Sequence, residues 1–190
     1  MDQVLVVGVG GAGCAIAQRV GKVLNCEVLA VNNSQENLLN KTAHHKLSLE
    51  LGANNGSLPT RQHVITAVNN LSGVFKTLIN NKKKVIITVG LGGNTGTGAA
   101  PVLARIAGTQ GKKVITAATL PFSFETQRKA IAEITLGQLH KKSDEILIHN
   151  HSTNNNSGNP LQDSLEDYFA QVADQFATEL SAKQLGIVNR

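Results

Sequence analysis

Short runs of β-branched and other apolar residues alternate along the chain with stretches that have the spacing of amphipathic helices. Consecutive strands joined through helices form right-handed crossovers, and such crossovers build a parallel sheet with helices on both faces. The alternation therefore predicts an α/β fold: an open, doubly wound, Rossmann-like parallel sheet with the strand order 3-2-1-4-5-6, ending in a long helix. Strands are predicted at 4–7, 27–31, 46–49, 85–89, 114–118 and 146–148.

The helices predicted between these strands differ in length. Apolar positions from Val64 to Leu78 are spaced three or four apart and predict one helix. A glycine-rich loop after the fourth strand leads into a helix that we expect to have Pro101 in its first turn, where proline is tolerated. The remaining helices are predicted at 12–24, 35–39, 126–139 and 160–184.

The composition fits one domain with an aliphatic core. The chain has 190 residues, of which 41% are hydrophobic, with five Phe, one Tyr and no Trp. No stretch approaches the roughly 20 apolar residues of a membrane helix. The first strand starts at Val4 and leaves no room for a charged signal region, so we expect a cytoplasmic location. Cys14 and Cys26 are too few for a disulfide framework and are expected to be buried, reduced thiols.

Charge and histidine spacing exclude two other classes of site. The net charge is +5, and the basic run at 82–84 contains no interleaved aromatic residue. We therefore expect a solvated entrance to the fourth strand and consider nucleic-acid binding improbable. The six histidines lack metal-ligand spacing, so no metal site is predicted from protein side chains.

The first glycine loop is Gly8-Val9-Gly10-Gly11-Ala12-Gly13, which follows a strand and opens a helix. Glycines in such a loop let the backbone approach a phosphate, and N–H groups at the helix start point toward it. A dinucleotide site should also have an acid at the end of the second strand, to bind a ribose. That strand ends in Val31-Asn32-Asn33, which weakens the interpretation as a dinucleotide-dependent enzyme.

The second glycine loop, Gly92-Gly93-Asn94-Thr95-Gly96-Thr97-Gly98, is a more specific signal. It also connects a strand to a helix, and no lysine follows it in the manner of an ATPase P-loop. With the strand order 3-2-1-4-5-6, the two loops meet where the strand order reverses, and ligands of open α/β sheets bind there. The two loops together predict one phosphate site.

The second loop resembles the G-G-G-T-G-T-G pattern of the FtsZ/tubulin family, from which it differs at Asn94. Further similarity lies in the first loop with Cys14, in Ala30-Val31-Asn32, in Ala99-Ala100-Pro101 and in Pro121-Phe122-Ser123-Phe124-Glu125. The resemblance spans Val4 to about Leu180 and covers only the nucleotide-binding half of the family's fold. It implies a single nucleotide-binding domain over 1–190, without the family's second domain.

The resemblance implies that GTP or GDP binds, with Mg²⁺ accompanying GTP. Core packing of Phe169 and an i,i+4 ion pair between Glu125 and Lys129 are the structural alternatives for those residues. The implied nucleotide-binding residues are Gly10, Gly11, Ala12, Gly13, Cys14 and Asn32; Ala53 near the γ-phosphate; Gly92, Gly93, Asn94, Thr95, Gly96, Thr97 and Gly98; Pro121; Glu125 at the ribose; Lys129 near the phosphates; and Asn150, Phe169 and Ala173 at the base.

Three positions depart from the family's pattern. Ala15 and Ala173 stand where the family has polar residues that contact the base, which predicts weak discrimination between guanine and adenine. No Asp or Glu follows Glu179, whereas the family has an N-x-D-x-x-D loop after the long helix. Because those acids position the attacking water in a neighbouring subunit, we expect slow hydrolysis by this chain alone and no catalytic residue is assigned.

Three hypotheses follow. The first is an FtsZ-like guanine-nucleotide-binding protein with little hydrolysis of its own, acting in cytoskeletal or cell-division-type assembly or regulation. Its partner would be another copy of the chain or an FtsZ-like protein. The second is an active GTPase completed by acids from another chain. The third is a Rossmann-type dinucleotide-dependent enzyme, which Asn32 and the second loop disfavour.

Overall fold

Six strands form one parallel sheet in a computed structural model that describes residues 3–51, 59–150 and 165–184. Their order is β3-β2-β1-β4-β5-β6, and every neighbouring pair is parallel. The predicted α/β fold and strand order are therefore confirmed. The strands are β1 Val4–Val9, β2 Glu27–Asn32, β3 His45–Ser48, β4 Lys84–Gly90, β5 Lys113–Leu120 and β6 Glu145–Asn150.

The helices cover both faces of the sheet. In the described ranges they are α1 Gly10–Leu24, α2 Gln35–Leu39, α3 Arg61–Asn70, α4 Ser72–Ile79, α5 Asn94–Thr109, α6 Thr126–His140 and α7 Leu165–Gln184. In the same ranges, none of them is long and apolar enough to cross a membrane. The part of the predicted last helix before 165 lies outside the described residues.

Two aliphatic cores lie on opposite faces of the sheet because neighbouring residues of a strand point to opposite sides. In β1, Val7 belongs to the core under α3, α4 and α5, whereas Val6 belongs to the core under α1 and α7. Both side chains are fully buried. Both cores consist mainly of Val, Ile, Leu and Ala, as the scarcity of aromatic residues predicts.

The prediction of one helix over 64–78 was wrong, because the chain forms two helices there. α3 begins with a capping box in which the Thr60 hydroxyl and the His63 ring each accept a backbone N–H of the other residue. It ends at Leu71, whose backbone (φ −90°, ψ 8°) departs from helical values before α4 starts. Hydrophobic spacing continues across this break and therefore conceals it.

The position predicted for Pro101 was also wrong. α5 begins at Asn94, so Pro101 is inside the helix rather than in its first turn. Proline has no N–H to donate to the carbonyl four residues earlier, which is that of Thr97. Arg61 donates its Nε–H to this carbonyl instead, at 3.2 Å. A side chain of α3 thus replaces the helix hydrogen bond that Pro101 removes.

The basic run is not entirely a solvated surface, contrary to expectation. Lys82 is only 7% exposed, and its Nζ pairs with Glu27 at 2.8 Å. His45 lies 3.2 Å from the other oxygen of the same carboxylate. These contacts lower the pKa of Glu27, the hydrogen bond from Lys82 having the largest effect. Lys82 therefore connects the starts of two strands.

Candidate functional site

The two glycine loops lie side by side at the carboxyl edge of the sheet. β1 and β4 are neighbours, and α1 and α5 follow them almost immediately. The loops therefore converge where the strand order reverses, as predicted. Between them is a cavity of about 640 Å³, here called the glycine cavity. It is lined by Val9, Gly10, Gly11, Ala12, Gly90, Leu91, Gly93, Asn94, Thr95, Gly96, Thr119, Leu120, Pro121, Phe122, Phe124, Glu125, Arg128 and Phe169.

The two helices that follow the glycine loops start without a side-chain cap. The capping positions of α1 and α5 are Val9 and Gly93, and neither helix has an acid in its first turn. By contrast, the Ser34 hydroxyl caps α2 and the Thr60 hydroxyl caps α3. Uncapped first turns leave backbone N–H donors available at the positive end of each helix dipole. Two such ends facing one cavity form an environment suited to an anion.

The glycines of the loops have two different functions. A Cβ on Gly13 would lie 2.3 Å from the carbonyl oxygen of Thr88, and one on Gly96 would lie 2.4 Å from that of Gly90. These glycines let the helices pack directly on β4. A Cβ on Gly11 or on Gly93 would meet no atom of the described residues within 4 Å. Those two positions border the cavity itself, so bare backbone faces whatever binds there.

Gly10 and Gly92 have backbone conformations that favour glycine. Their φ angles are +73° and +105°, in the region that residues with a Cβ rarely adopt. A Cβ on Gly92 would also approach Pro121 and Arg128 to within 2.9 Å. Gly92 thus turns the chain from β4 toward α5 beside the segment that follows β5.

Polar side chains fix the shape of the second loop. The Thr95 hydroxyl donates to the side-chain oxygen of Asn33 at 2.9 Å, which connects this loop to the end of β2. Asn94 donates to the carbonyl of Pro59, and Thr97 donates to that of Gly93. Asn33 was not identified from the sequence. Its contact spans 62 positions, and only its place after a strand could have suggested it.

Beneath the first loop, two buried side chains hold the backbone of β1 and α1. The Thr88 hydroxyl donates to the carbonyl of Gly13 at 2.8 Å. The Cys14 thiol donates to the carbonyl of Gly8 at 3.2 Å, and burial raises its pKa to about 11. Cys14 and Cys26 are both free and buried, as predicted. Cys14 therefore supports the loop as a neutral group rather than as a nucleophile.

One ion pair borders the cavity at the start of α6, and it differs from the Glu125–Lys129 pair that was the structural alternative for those residues. Glu125 pairs with Arg128, three residues on, at 2.6 Å. The other oxygen of Glu125 accepts the backbone N–H of Phe122 at 3.1 Å. Lys129 is exposed and does not line the cavity, and only its backbone N–H bonds to the Glu125 carbonyl. The resemblance described above implies Lys129 and does not include Arg128. Among the described residues that line the cavity, Arg128 is the cationic one.

Aromatic rings border the cavity on the side away from the glycines. Phe122 and Phe124 are stacked with ring centroids 5.5 Å apart, and Phe124 is 79% exposed. Phe169 is half-buried at the start of α7, beside Tyr168, whose ring centroid is 5.7 Å away. Phe169 partly packs against the core and also lines the cavity. The two interpretations of this residue are therefore compatible.

The structure brings only some of the predicted residues to the cavity. Asn32 is buried and its side-chain oxygen accepts the N–H groups of Asn33 and Ser34. Asn150 ends β6 in register with Leu120, which does line the cavity. Ala173 is fully buried against α1, and Ala53 lies outside the described residues. The predicted residues lining the cavity are Gly10, Gly11, Ala12, Gly93, Asn94, Thr95, Gly96, Pro121, Glu125 and Phe169; Gly13, Cys14, Asn32, Gly92, Thr97, Gly98, Lys129, Asn150 and Ala173 do not line it.

Acidic groups are scarce at this site. In the described part of the chain, Glu125 is the one acid that lines the cavity, and both of its oxygens already accept hydrogen bonds. Within residues 3–51, 59–150 and 165–184, no three His, Cys, Asp or Glu side chains cluster so that they could hold a metal ion.

Comparison with known proteins gives consistent matches. A model of the Tubulin/FtsZ family, GTPase domain, matches residues 3–158. Cell division protein FtsZ 1 of Pyrococcus woesei is 37% identical over 155 residues, which are 77% of this chain and 41% of that protein. Cell division protein FtsZ 2 of Halobacterium salinarum is 33% identical over 152 residues, 77% of this chain and 38% of that protein. This chain thus spans less than half the length of these relatives.

Solved structures agree with this match. An FtsZ dimer from M. jannaschii superimposes with a TM-score of 0.76 at 27% identity, over 93% of this chain and 52% of that chain. A CetZ from Methanosaeta thermophila gives a TM-score of 0.76 at 18% identity, over 100% of this chain and 56% of that chain. The second likeness concerns the fold alone.

Proposed function

The chain belongs to the Tubulin/FtsZ family and matches its GTPase domain, and we propose that it binds GTP or GDP with the phosphates in the glycine cavity. One observation carries this proposal most directly. Two uncapped helix N-termini, those of α1 and α5, open onto the same cavity of about 640 Å³. Their combined partial charge, roughly half an elementary charge for each helix, favours a polyanion over a neutral ligand.

The phosphates are bound mainly by backbone. The N–H groups of the first turns of α1 and α5 donate to phosphate oxygens from the two sides of the cavity. Gly11 and Gly93 let the ligand approach because no side chain stands there. Asn33 holds the Thr95 hydroxyl at the same rim. Of the described residues that line the cavity, Arg128 has the one cationic side chain, and it lies at the end where Glu125 would meet the ribose.

The dinucleotide alternative loses its support at the end of β2. Ribose recognition in such enzymes needs an acid there. The corresponding residue, Asn32, is 4% exposed, and its side-chain oxygen already accepts two backbone N–H groups. Membership of the Tubulin/FtsZ family favours a mononucleotide for the same cavity.

Hydrolysis by these 190 residues alone is expected to be slow. Phosphoryl transfer to water requires a group that orients the attacking water. Glu125 is the one acid among the described residues that line the cavity, and its oxygens are engaged by Arg128 and by the Phe122 N–H. Mg²⁺ that enters with GTP would be held chiefly by phosphate oxygens, because the described residues offer no acidic cluster. The acids that speed hydrolysis then come from outside the described part of this cavity.

An active GTPase completed by another chain is the second candidate. The exposed ring of Phe124 stands at the mouth of the cavity, where a neighbouring chain could pack against it and bring carboxylates to the γ-phosphate. That chain would be a second copy of this one or an FtsZ-like protein. The corresponding biological role is assembly, or its regulation, in a cell-division or cytoskeletal system. A cytoplasmic location stays a prediction.

The nucleotide itself provides the first test. The purified protein is denatured, and the released small molecules are identified by chromatography. GDP or GTP in stoichiometric amount is expected, whereas NAD or no nucleotide would contradict the proposal. Phosphate release and sedimentation, measured together over a range of protein concentrations, separate the two candidates. Rapid turnover that rises with concentration, accompanied by GTP-dependent pelleting, would favour the active GTPase.

A further inference from the structure

A separate cavity, of about 740 Å³, lies at the edge of the sheet opposite the glycine cavity. It forms where α5 and α6 end and where the parallel strands β5 and β6 begin. No residue lines both cavities. We call it the lysine pocket. The described residues that line it are Ala104, Arg105, Gly108, Thr109, Gly111, Lys112, Lys113, Lys141, Lys142, Ser143 and Asp144.

The charges of the lysine pocket are strongly unbalanced. Among the described residues that line it, one arginine and four lysines face a single acid, Asp144. Oδ2 of Asp144 accepts the backbone N–H of Val114 at 2.6 Å, which ties this carboxylate to the start of β5. The ion pairs formed within the described residues include none of the five cations. The pocket therefore carries an excess of positive charge that nothing in the described part of the chain neutralises.

Lys142 has the least favourable position of these cations. Its side chain is half-buried, and its pKa is lowered first by burial and then by the nearby charges of Arg105 and Arg61. Within the described residues, its ammonium forms neither an ion pair nor a hydrogen bond. The folded chain thus holds a positive charge where burial and like charges both disfavour it. An anion bound beside Lys142 would offset both effects.

The ends of the helices explain only part of this cluster. Cations near helix C-termini complement the helix dipole and bond to the last carbonyls. Here backbone N–H groups already bond to such carbonyls, since Lys112 donates to Ala107 and Lys142 donates to Leu139. Of the described lysines that line the pocket, Lys112 alone donates its ammonium to a helix-end carbonyl, that of Asn80 after α4, at 2.8 Å. Helix ends therefore account directly for one of the five cations.

The lining of the pocket favours one class of anion. No aromatic ring is among the described lining residues, whereas single-stranded nucleic acids stack their bases on such rings. None of the exposed large apolar side chains lines the pocket, whereas surfaces that bind membranes combine such side chains with positive charge. Helices present their C-termini here, whereas phosphate sites use helix N-termini. Four of the cations are lysines, flexible point charges that suit separate carboxylates.

We propose that the lysine pocket binds an acidic segment of a partner protein, a stretch rich in Asp and Glu. Each ammonium of the pocket meets one carboxylate of the segment, and Lys142 gains the counter-charge that it lacks in the free chain. The net charge of +5 of this chain makes a second copy a poor partner, because two copies repel each other. This surface lies apart from the glycine cavity, so the inference goes beyond the proposed function and does not depend on it.

The test measures binding of fluorescein-labelled decaglutamate by fluorescence anisotropy, at physiological ionic strength, where exposed charges more than about 8 Å apart are largely screened. The double variant Lys113→Glu/Lys141→Glu reverses two exposed charges of the pocket and should weaken binding about tenfold or more. The matched control Lys22→Glu/Lys76→Glu makes the same change of net charge at two exposed lysines outside the pocket. The control should bind decaglutamate like the wild type.

Lys142→Met separates a binding role from a structural one. Methionine keeps an apolar stem and removes the charge that burial disfavours. We expect weaker binding of decaglutamate together with a higher melting temperature of the free protein. A lower melting temperature with unchanged affinity would show that the ammonium serves the fold, and would overturn the inference.

Other occupants of the pocket give different results. A wild type that does not bind decaglutamate, or equal losses in the two double variants, would overturn the inference. Single-stranded DNA and vesicles of phosphatidylcholine and phosphatidylglycerol in equal parts are tested in parallel. If either binds more tightly than decaglutamate and Lys113→Glu/Lys141→Glu removes that binding, the partner is not a protein segment and the inference fails. Self-association in sedimentation that the same variant removes would assign the pocket to a second copy and overturn it too.

Discussion

The two ends of the candidate site differ in the chemical groups that line them: backbone N–H groups at one end and side chains at the other. At the phosphate end, glycine loops and helix starts present backbone N–H groups, and the side chains that matter, such as Asn33 and Thr95, orient the loop. At the proposed base end, the side chains of Phe169 and Phe122 line the space. Backbone recognises charge without regard to the base, whereas side chains can distinguish one base from another. Affinity and base preference should therefore respond to different substitutions.

The largest effect is expected from a glycine that packs rather than binds. In Gly96→Val, the new Cβ would lie 2.4 Å from the carbonyl oxygen of Gly90, which belongs to β4 and cannot move aside cheaply. Overpacking typically costs ~1–3 kcal/mol, and we expect the upper end or more here. Thermal unfolding should show a much lower melting temperature, and nucleotide binding would be lost together with the fold. A stable Gly96→Val protein would contradict the packing assigned to this glycine.

A smaller effect, confined to binding, is expected at the aromatic residue between the two ends. Stacking of a base on an aromatic ring is worth ~1–3 kcal/mol. Phe169→Ala should therefore weaken GDP and ADP to a similar extent, because every base has a face that can stack. Phe169→Leu keeps apolar packing against the core and serves as the control for stability. A change in the GDP-to-ADP ratio would mean that Phe169 also contributes to base preference and does not act by stacking alone.

The smallest effect concerns pH and a histidine near the base end. His149 is 8% exposed, lies 3.0 Å from the Tyr168 hydroxyl, and has a pKa lowered mainly by burial. The unfolded chain therefore binds the proton more readily than the folded one. The free energy of unfolding should decrease as the pH falls below the ordinary histidine pKa of about 6.5. Melting curves at several pH values should show a weaker decrease for His149→Gln, and identical slopes would exclude His149 as a source.

The phosphate end was largely predictable from the sequence, because its determinants are local. A strand, a glycine loop and a helix start lie within about ten residues, and the alternation of elements fixes where both loops meet. The roles of individual glycines were not predictable. Gly11 and Gly13 stand in the same motif, yet the first borders open space and the second packs on Thr88. That difference depends on the distance between helix and sheet.

The contact between α1 and α7 was poorly predictable because it is long-range. Nothing in the local sequence of Arg19 indicates its ion pair with Asp174, which is 155 positions away, and the pairing depends on how α1 packs against α7. The sequence suggested Lys129 as the ion-pair partner of Glu125, whereas the structure shows Arg128 in that place. This difference has a simpler cause. On a helix both i,i+3 and i,i+4 neighbours can pair, and spacing alone does not choose between them.

The most direct test of the account is the titration of GDP into two matched valine variants. Gly11→Val and Gly73→Val each change the second residue of a helix, at a place where a Cβ meets no atom of the described residues within 4 Å. Only Gly11 lines the glycine cavity. The account predicts that both variants keep the wild-type melting temperature, that Gly73→Val binds GDP like the wild type, and that Gly11→Val loses GDP and ADP alike. Wild-type GDP affinity in a folded Gly11→Val protein would contradict the claim that this cavity holds the phosphates.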